Sequence, residues 1–144
     1  MTKQAPVTGS LLLILAMAGL ATAGARLIRT EVGFCRDAFA GLAQGRLSAE
    51  RQVDWEHLQA MGVDVGETYR RLPNAQERRQ YRQAFIGQFA GGFASSGATT
   101  RAFTNWRRAG GRLVAADYPA KQKTLLCGVS GSWITRRIVS LQWQ

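Results

Sequence analysis

A chain of 144 residues is of ordinary single-domain length, and its two cysteines and one histidine exclude a Cys-x-x-Cys redox pair and a zinc knuckle. Any Cys/His zinc site would need carboxylates to complete it, so neither a metal nor a cofactor is expected. Nineteen Lys plus Arg oppose 9 Asp plus Glu, a net charge of +10, and 16 of the cations are arginine; this fits an acidic partner, phospholipid headgroups or nucleic acid, or serves solubility alone.

The first element is the apolar run Val7 to Ile28, which carries no charge until Arg26. As a secretory signal it has a polar start with Lys3, an apolar core from Leu11 to Leu20, and the small residues Ala21-Thr22-Ala23. As a transmembrane anchor it matches the ~20 residues needed to cross a hydrocarbon core, diluted by glycine, serine and threonine. Arg26, Arg29 and Arg36 behind it oppose an outward orientation under the positive-inside rule, so the reverse topology stays open. The expected division is a signal peptide or membrane anchor over 1–29 and a single α+β domain over 30–144, exported to the periplasm or anchored in the inner membrane.

Glu31 to Gln44 places Val32, Cys35, Phe39 and Leu42 on one helical face, closed by Gly45. Ser48 begins a second expected helix with Trp55, Leu58 and Met61 inward, stopped by Gly62. Val65, Tyr69 and Leu72 suggest a short third piece, broken by Pro73. Asn74 then caps the longest helix with Glu77 at the capping-box position, and Tyr81, Phe85, Ile86, Phe89 and Phe93 give it a wide apolar arc. That helix is expected to be the main core element.

From Thr100 the period becomes alternating. Strands are expected near 101–108, 112–118, 123–130 and 133–143, with turns at Ala109-Gly110-Gly111, Pro119-Ala120 and Gly131-Ser132. Leu125, Cys127 and Val129 share a face of the third. Cys35 and Cys127 therefore both point to apolar faces, either as one long-range disulfide in an oxidising compartment or as two buried thiols.

Helices followed by a meander resemble, in order and pattern, the nuclear transport factor two-like fold shared by ketosteroid isomerase and the SnoaL-like proteins. The helix YRQAFIGQF, the strand AFTNWRR and the closing TLLCGVSGSWITRRIVSLQW carry the resemblance. It implies about three helices packed on a curved four-stranded antiparallel sheet, an apolar pocket between helix and sheet, and contact between the faces bearing Cys35 and Cys127. The sequence departs from it in showing no strand between the second and third helices. Periplasmic domains of some type IV secretion inner-membrane components are similar, so the resemblance also implies a non-enzymatic binding or assembly role in the cell envelope. The alternative is a small-pocket isomerase or dehydratase, or a hydrophobic-ligand or lipid-binding protein.

Candidate chemistry is sparse. Asp54 and His57, three apart, suit a carboxylate orienting an imidazole, or a solvated surface pair. At ~100° per residue Arg78 and Arg82 fall inside the apolar arc of the longest helix. Either they snorkel or pair with Glu77 or Glu67, or they form a binding rim with Tyr81, Phe85 and Phe89 that meets an anionic group. Trp106, Trp133 and Trp143 interleave with Arg107, Arg108, Arg136 and Arg137 as on a single-stranded nucleic-acid platform. An exported chain would seldom meet that ligand. An envelope protein, a second copy of the chain or an anionic membrane surface is the expected partner.

Overall fold

The computed structural model describes residues 30–144, so the signal or anchor expected over 1–29 lies outside the described residues. The architecture is α+β. Among the described residues three α-helices, α1 (Glu31–Ala43), α2 (Val65–Arg70) and α3 (Ala75–Ser95), accompany six strands and three short 3-10 turns. The strands are β1 (Gln59–Ala60), β2 (Val63–Asp64), β3 (Thr104–Arg108), β4 (Leu113–Tyr118), β5 (Lys123–Ser130) and β6 (Arg137–Trp143), in the spatial order β2-β1-β6-β5-β4-β3. β1 runs parallel to β6 and every other neighbouring pair is antiparallel. The sheet is thus six-stranded and mixed, not the expected four-stranded antiparallel one. No helix of the described residues is long and apolar enough to cross a membrane.

α1 is the principal core helix. The Thr30 hydroxyl accepts the Gly33 amide at 3.1 Å and starts it. Cys35, Ala38, Phe39 and Leu42, at helical spacing, are at most 1% exposed. A disulfide joins Cys35 to Cys127 on β5, with Cα atoms 6.3 Å apart, so α1 is fastened to the sheet interior.

The second expected helix does not form. Leu47–Gln52 is a 3-10 turn, and Val53 is extended and bridges Ile138 of β6 in parallel. Asp54 donates its amide to the Ile138 carbonyl at 2.8 Å, and Gln59 and Ala60 lie against Ser140 and Leu141. Pairing with β6 satisfies backbone groups that a helix would have satisfied internally, and it keeps Trp55 and Leu58 buried. Met61 and Gly62, both at positive φ, make the two-residue turn between β1 and β2. Strands therefore do exist between the second and third helical pieces. Gly66, in the first turn of α2, lies so close to the Glu56 carbonyl that an added Cβ would meet that oxygen at 2.4 Å.

α3 begins where expected: the Asn74 side chain accepts the Glu77 amide at 2.9 Å. Of its 21 residues only Ile86 is fully buried, which corrects its expected rank as main core element. Phe85, Phe89 and Phe93 are half-buried against the core, while Gly87, Gly91 and Gly92 look onto open space.

In the sheet, Leu125, Cys127 and Val129 are buried as expected. The last strand starts at Arg137 rather than 133, because Ser132–Thr135 closes a turn by two bonds, Thr135 N to Ser132 O at 3.1 Å and Ser132 N to Thr135 Oγ1 at 3.0 Å. Gly128 pairs with Ser140 but Val129 pairs with Ile138, a bulge at Val139. This extra residue reverses the alternation, so Ile138 and Leu141 are both fully buried.

Candidate functional site

α3 projects Arg82 toward two other segments of the chain. Its Nε pairs with Glu50 Oε1 of the 3-10 turn, and its Nη1 donates to the Tyr69 hydroxyl of α2 at 2.8 Å. The Arg82 and Glu50 side chains are only 21% and 24% exposed. Burial disfavours the charge on Arg82, but the Glu50 carboxylate and Tyr69 hydroxyl outweigh it and hold the guanidinium above its usual range. The expected partners Glu77 and Glu67 are not used; Glu67 binds Arg71 at 2.7 Å.

One turn earlier Arg78 donates from Nε to the Leu72 carbonyl at 3.3 Å, and its guanidinium carbon lies 5.6 Å from the centre of the Tyr69 ring. Arg79 beside it is exposed and has no ion pair among the described residues. Tyr69, Pro73, Asn74, Arg78, Arg79 and Arg82 line a cleft of about 420 Å³. On the other side of Arg82 a larger cleft of about 770 Å³ is lined by Leu47, Arg51, Trp55 and Arg137 among others. Arg82 belongs to both, so two basic depressions share one wall.

Tyr81, Phe85 and Phe89 line neither of these two clefts. The Tyr81 ring centre lies 6.2 Å from that of Tyr69, and Phe85 meets Trp55 edge-on at 5.4 Å. Phe89 approaches Phe39 at 6.1 Å, and Phe39 meets Phe103 at 4.8 Å. Phe103 stacks on Tyr118 and Trp143 at 4.9 and 5.9 Å. A continuous aromatic chain therefore runs between the helices and the sheet.

Asp54 and His57 do meet, Oδ1 to Nδ1 at 3.0 Å, but on a turn rather than a helix, with His57 66% exposed. Neither lines the two clefts around Arg82. The tryptophan and arginine residues of the sheet do not form one platform. Trp106 packs on Phe39, Arg107 pairs with Asp117 at 3.0 Å, and Trp143 lies at the opposite end of β6 from the turn carrying Trp133. Among the described residues no group of three or more His, Cys, Asp or Glu is placed to hold a metal ion.

Sequence reasoning missed Glu50 and Tyr69, the residues that fix Arg82, and Arg79, the open cation of the small cleft. An arginine inside an apolar arc signals a buried carboxylate elsewhere; the spacing along α3 pointed only to acids nearby in sequence. Comparisons with protein-family models, with curated proteins and with solved structures find no match.

Proposed function

We propose that the chain is a non-enzymatic binding or assembly domain of the cell envelope, held on the outer side of the inner membrane by its apolar leader or released there as a periplasmic protein. The observation that carries this reading is the disulfide between Cys35 and Cys127, both fully buried, since such bonds persist mainly in oxidising compartments. The aromatic filling between helices and sheet favours surface recognition over the alternative of a small-pocket isomerase, dehydratase or hydrophobic-ligand binder. The likeness to the nuclear transport factor two-like fold belongs to the same reading. Its support is the order of helical pieces, the β1–β2 hairpin between them, and the closing meander.

The cleft of Arg78, Arg79 and Arg82 is the binding rim of this reading, fit for an acidic side chain of an envelope partner or an anionic headgroup. Two measurements test the proposal. Residues 1–30 fused to a reporter active only outside the cytoplasm should give signal. The denatured, non-reduced protein from the envelope fraction should yield no free thiol. A silent reporter together with two titrating thiols would sink the envelope reading.

A further inference from the structure

We infer that the end of the sheet carrying Trp133 and Ile134 rests on an anionic lipid surface. These two side chains are 56% and 72% exposed and adjacent, at the tip of the β5–β6 turn. Single exposed apolar residues are ordinary; four further features set this pair apart.

The tip is built to hold its shape. The Ser132 and Thr135 hydroxyls lie 3.1 Å apart, the Thr135 hydroxyl also accepts the Ser132 amide at 3.0 Å, and Arg112 donates to the Gly131 carbonyl from the neighbouring β3–β4 turn. Gly131 has φ +81°, and an added Cβ there would meet the Thr135 carbonyl oxygen at 2.3 Å. The turn thus presents Trp133 and Ile134 with little further ordering needed on contact.

Its surroundings are basic. Arg112, Arg136 and Arg137 flank the tip; Glu31 offsets one charge by pairing with Arg112, and beyond Glu77 the sequence carries one further acid, Asp117. Asp117 pairs with Thr124 toward the other end of β5, away from the tip. A Trp with aliphatic neighbours at headgroup depth, ringed by arginines, is the arrangement that suits a membrane interface with anionic lipid.

Leu113, 37% exposed, begins β4 opposite Gly128 and extends the apolar area at the same end.

The chain also enters the fold at this end. Glu31, the first residue of α1, lies 3.5 Å from Arg112 Nε and 4.0 Å from Arg108 Nη2. The residue that follows the apolar leader and Arg29 by two positions is therefore joined through Arg112 to the turn that carries Trp133. A leader held in a bilayer would bring this end of the domain, and not the Trp143 end, to the lipid.

The test uses tryptophan quenching, because the chain has only four tryptophans and none precedes Trp55. The full chain is reconstituted into vesicles of brominated phosphatidylcholine with and without phosphatidylglycerol. Emission should be quenched in wild type and in Trp143→Phe, and the quenched component should vanish in Trp133→Phe. Quenching should be greater where phosphatidylglycerol is present. Undiminished quenching in Trp133→Phe, absence of quenching in wild type, or equal quenching in both lipids would overturn the inference. If Trp133→Ser instead converts a sedimenting dimer to monomer, the tip belongs to a second copy and the lipid contact falls. The inference rests on the envelope reading, and the two fail separately. Intact quenching with a silent export reporter removes the compartment, whereas working export without quenching removes the lipid contact.

Discussion

Arg82 donates to the Tyr69 hydroxyl at 2.8 Å while its Nε engages Glu50, so one guanidinium ties α3 to α2 and to the 3-10 turn before β1. Replacing it leaves a carboxylate and a phenol, both largely covered, without their donor. Arg82→Ala should cost about 2 kcal/mol, the scale of a hydrogen bond to a charged group. Arg82→Lys should recover only part of it, since an ammonium cannot reproduce the fork. Denaturant unfolding of the two variants reads the difference; equal stability of Arg82→Ala and wild type would show the contact to be idle.

Arg79 gives the opposite expectation. It is exposed and unpaired in the cleft that Arg78 and Arg82 also line, so Arg79→Ala should change stability by less than about 0.5 kcal/mol. Its affinity for the envelope partner or for anionic vesicles should fall, and salt should reproduce the loss. Unchanged binding would remove the cleft from the recognition surface.

Cys35 and Cys127 close a loop with a sequence separation of 92. The chain-entropy model gives about 4.6 kcal/mol for a loop of that size. Reduction under native conditions should be slow, because both sulfurs are fully buried. The Cys35→Ser/Cys127→Ser variant should unfold at markedly lower denaturant concentration, and a variant as stable as wild type would contradict the model.

Asp117 receives a hydrogen bond from Asn105 Nδ2 at 3.0 Å, then an ion pair from Arg107 at 3.0 Å, and its carboxyl is held below the usual range. A depressed folded-state value adds stability above the unfolded value, about pH 4, and that stability is lost as pH falls through the folded value. Asp117→Asn should therefore be less stable than wild type at neutral pH, with the gap closing under acid. Melting temperatures across pH 2–7 check this; a constant gap would assign the effect to packing.

At Gly66 the Glu56 carbonyl stands where a Cβ would go, at 2.4 Å. Because that neighbour is backbone, Gly66→Ala must shift the loop before β1 and should cost about 1–3 kcal/mol. Gly87→Ala, with nothing within 4 Å, should stabilise α3 by up to about 1 kcal/mol. Equal effects in the two variants would mean that the loop yields freely.

Local signals carried the parts of the fold whose causes are local. The Asn74 cap, the α1 face of Cys35, Phe39 and Leu42, and the β5 face of Leu125, Cys127 and Val129 were legible because each residue's neighbours in sequence are its neighbours in space. The stretch from Ser48 to Gly62 was not. Trp55, Leu58 and Met61 have helical spacing, yet the backbone at Val53, Asp54 and from Gln59 to Met61 is claimed by β6, some 80 residues away, as in the bond from the Met61 amide to the Leu141 carbonyl at 2.7 Å. The same long reach hid Glu50 from any reading of α3. In β6 the bulge at Val139 breaks the alternation, and a period-two reading cannot anticipate an inserted residue.

The parallel pairing of β1 with β6 has a consequence for synthesis. Strand β6 sits between β5 and β1, in the interior of the sheet, yet it follows every other described element in the chain. Until residues 137–143 leave the ribosome, β5 and β1 each keep an unpaired edge, and the segment around Val53 has no strand to lie against. Closure of the sheet is consequently deferred to the last strand made, whatever the helices and the β3–β4–β5 meander have already formed. Truncation before Ile138 would remove the strand that joins the two parts of the sheet and should leave an insoluble product rather than a smaller fold.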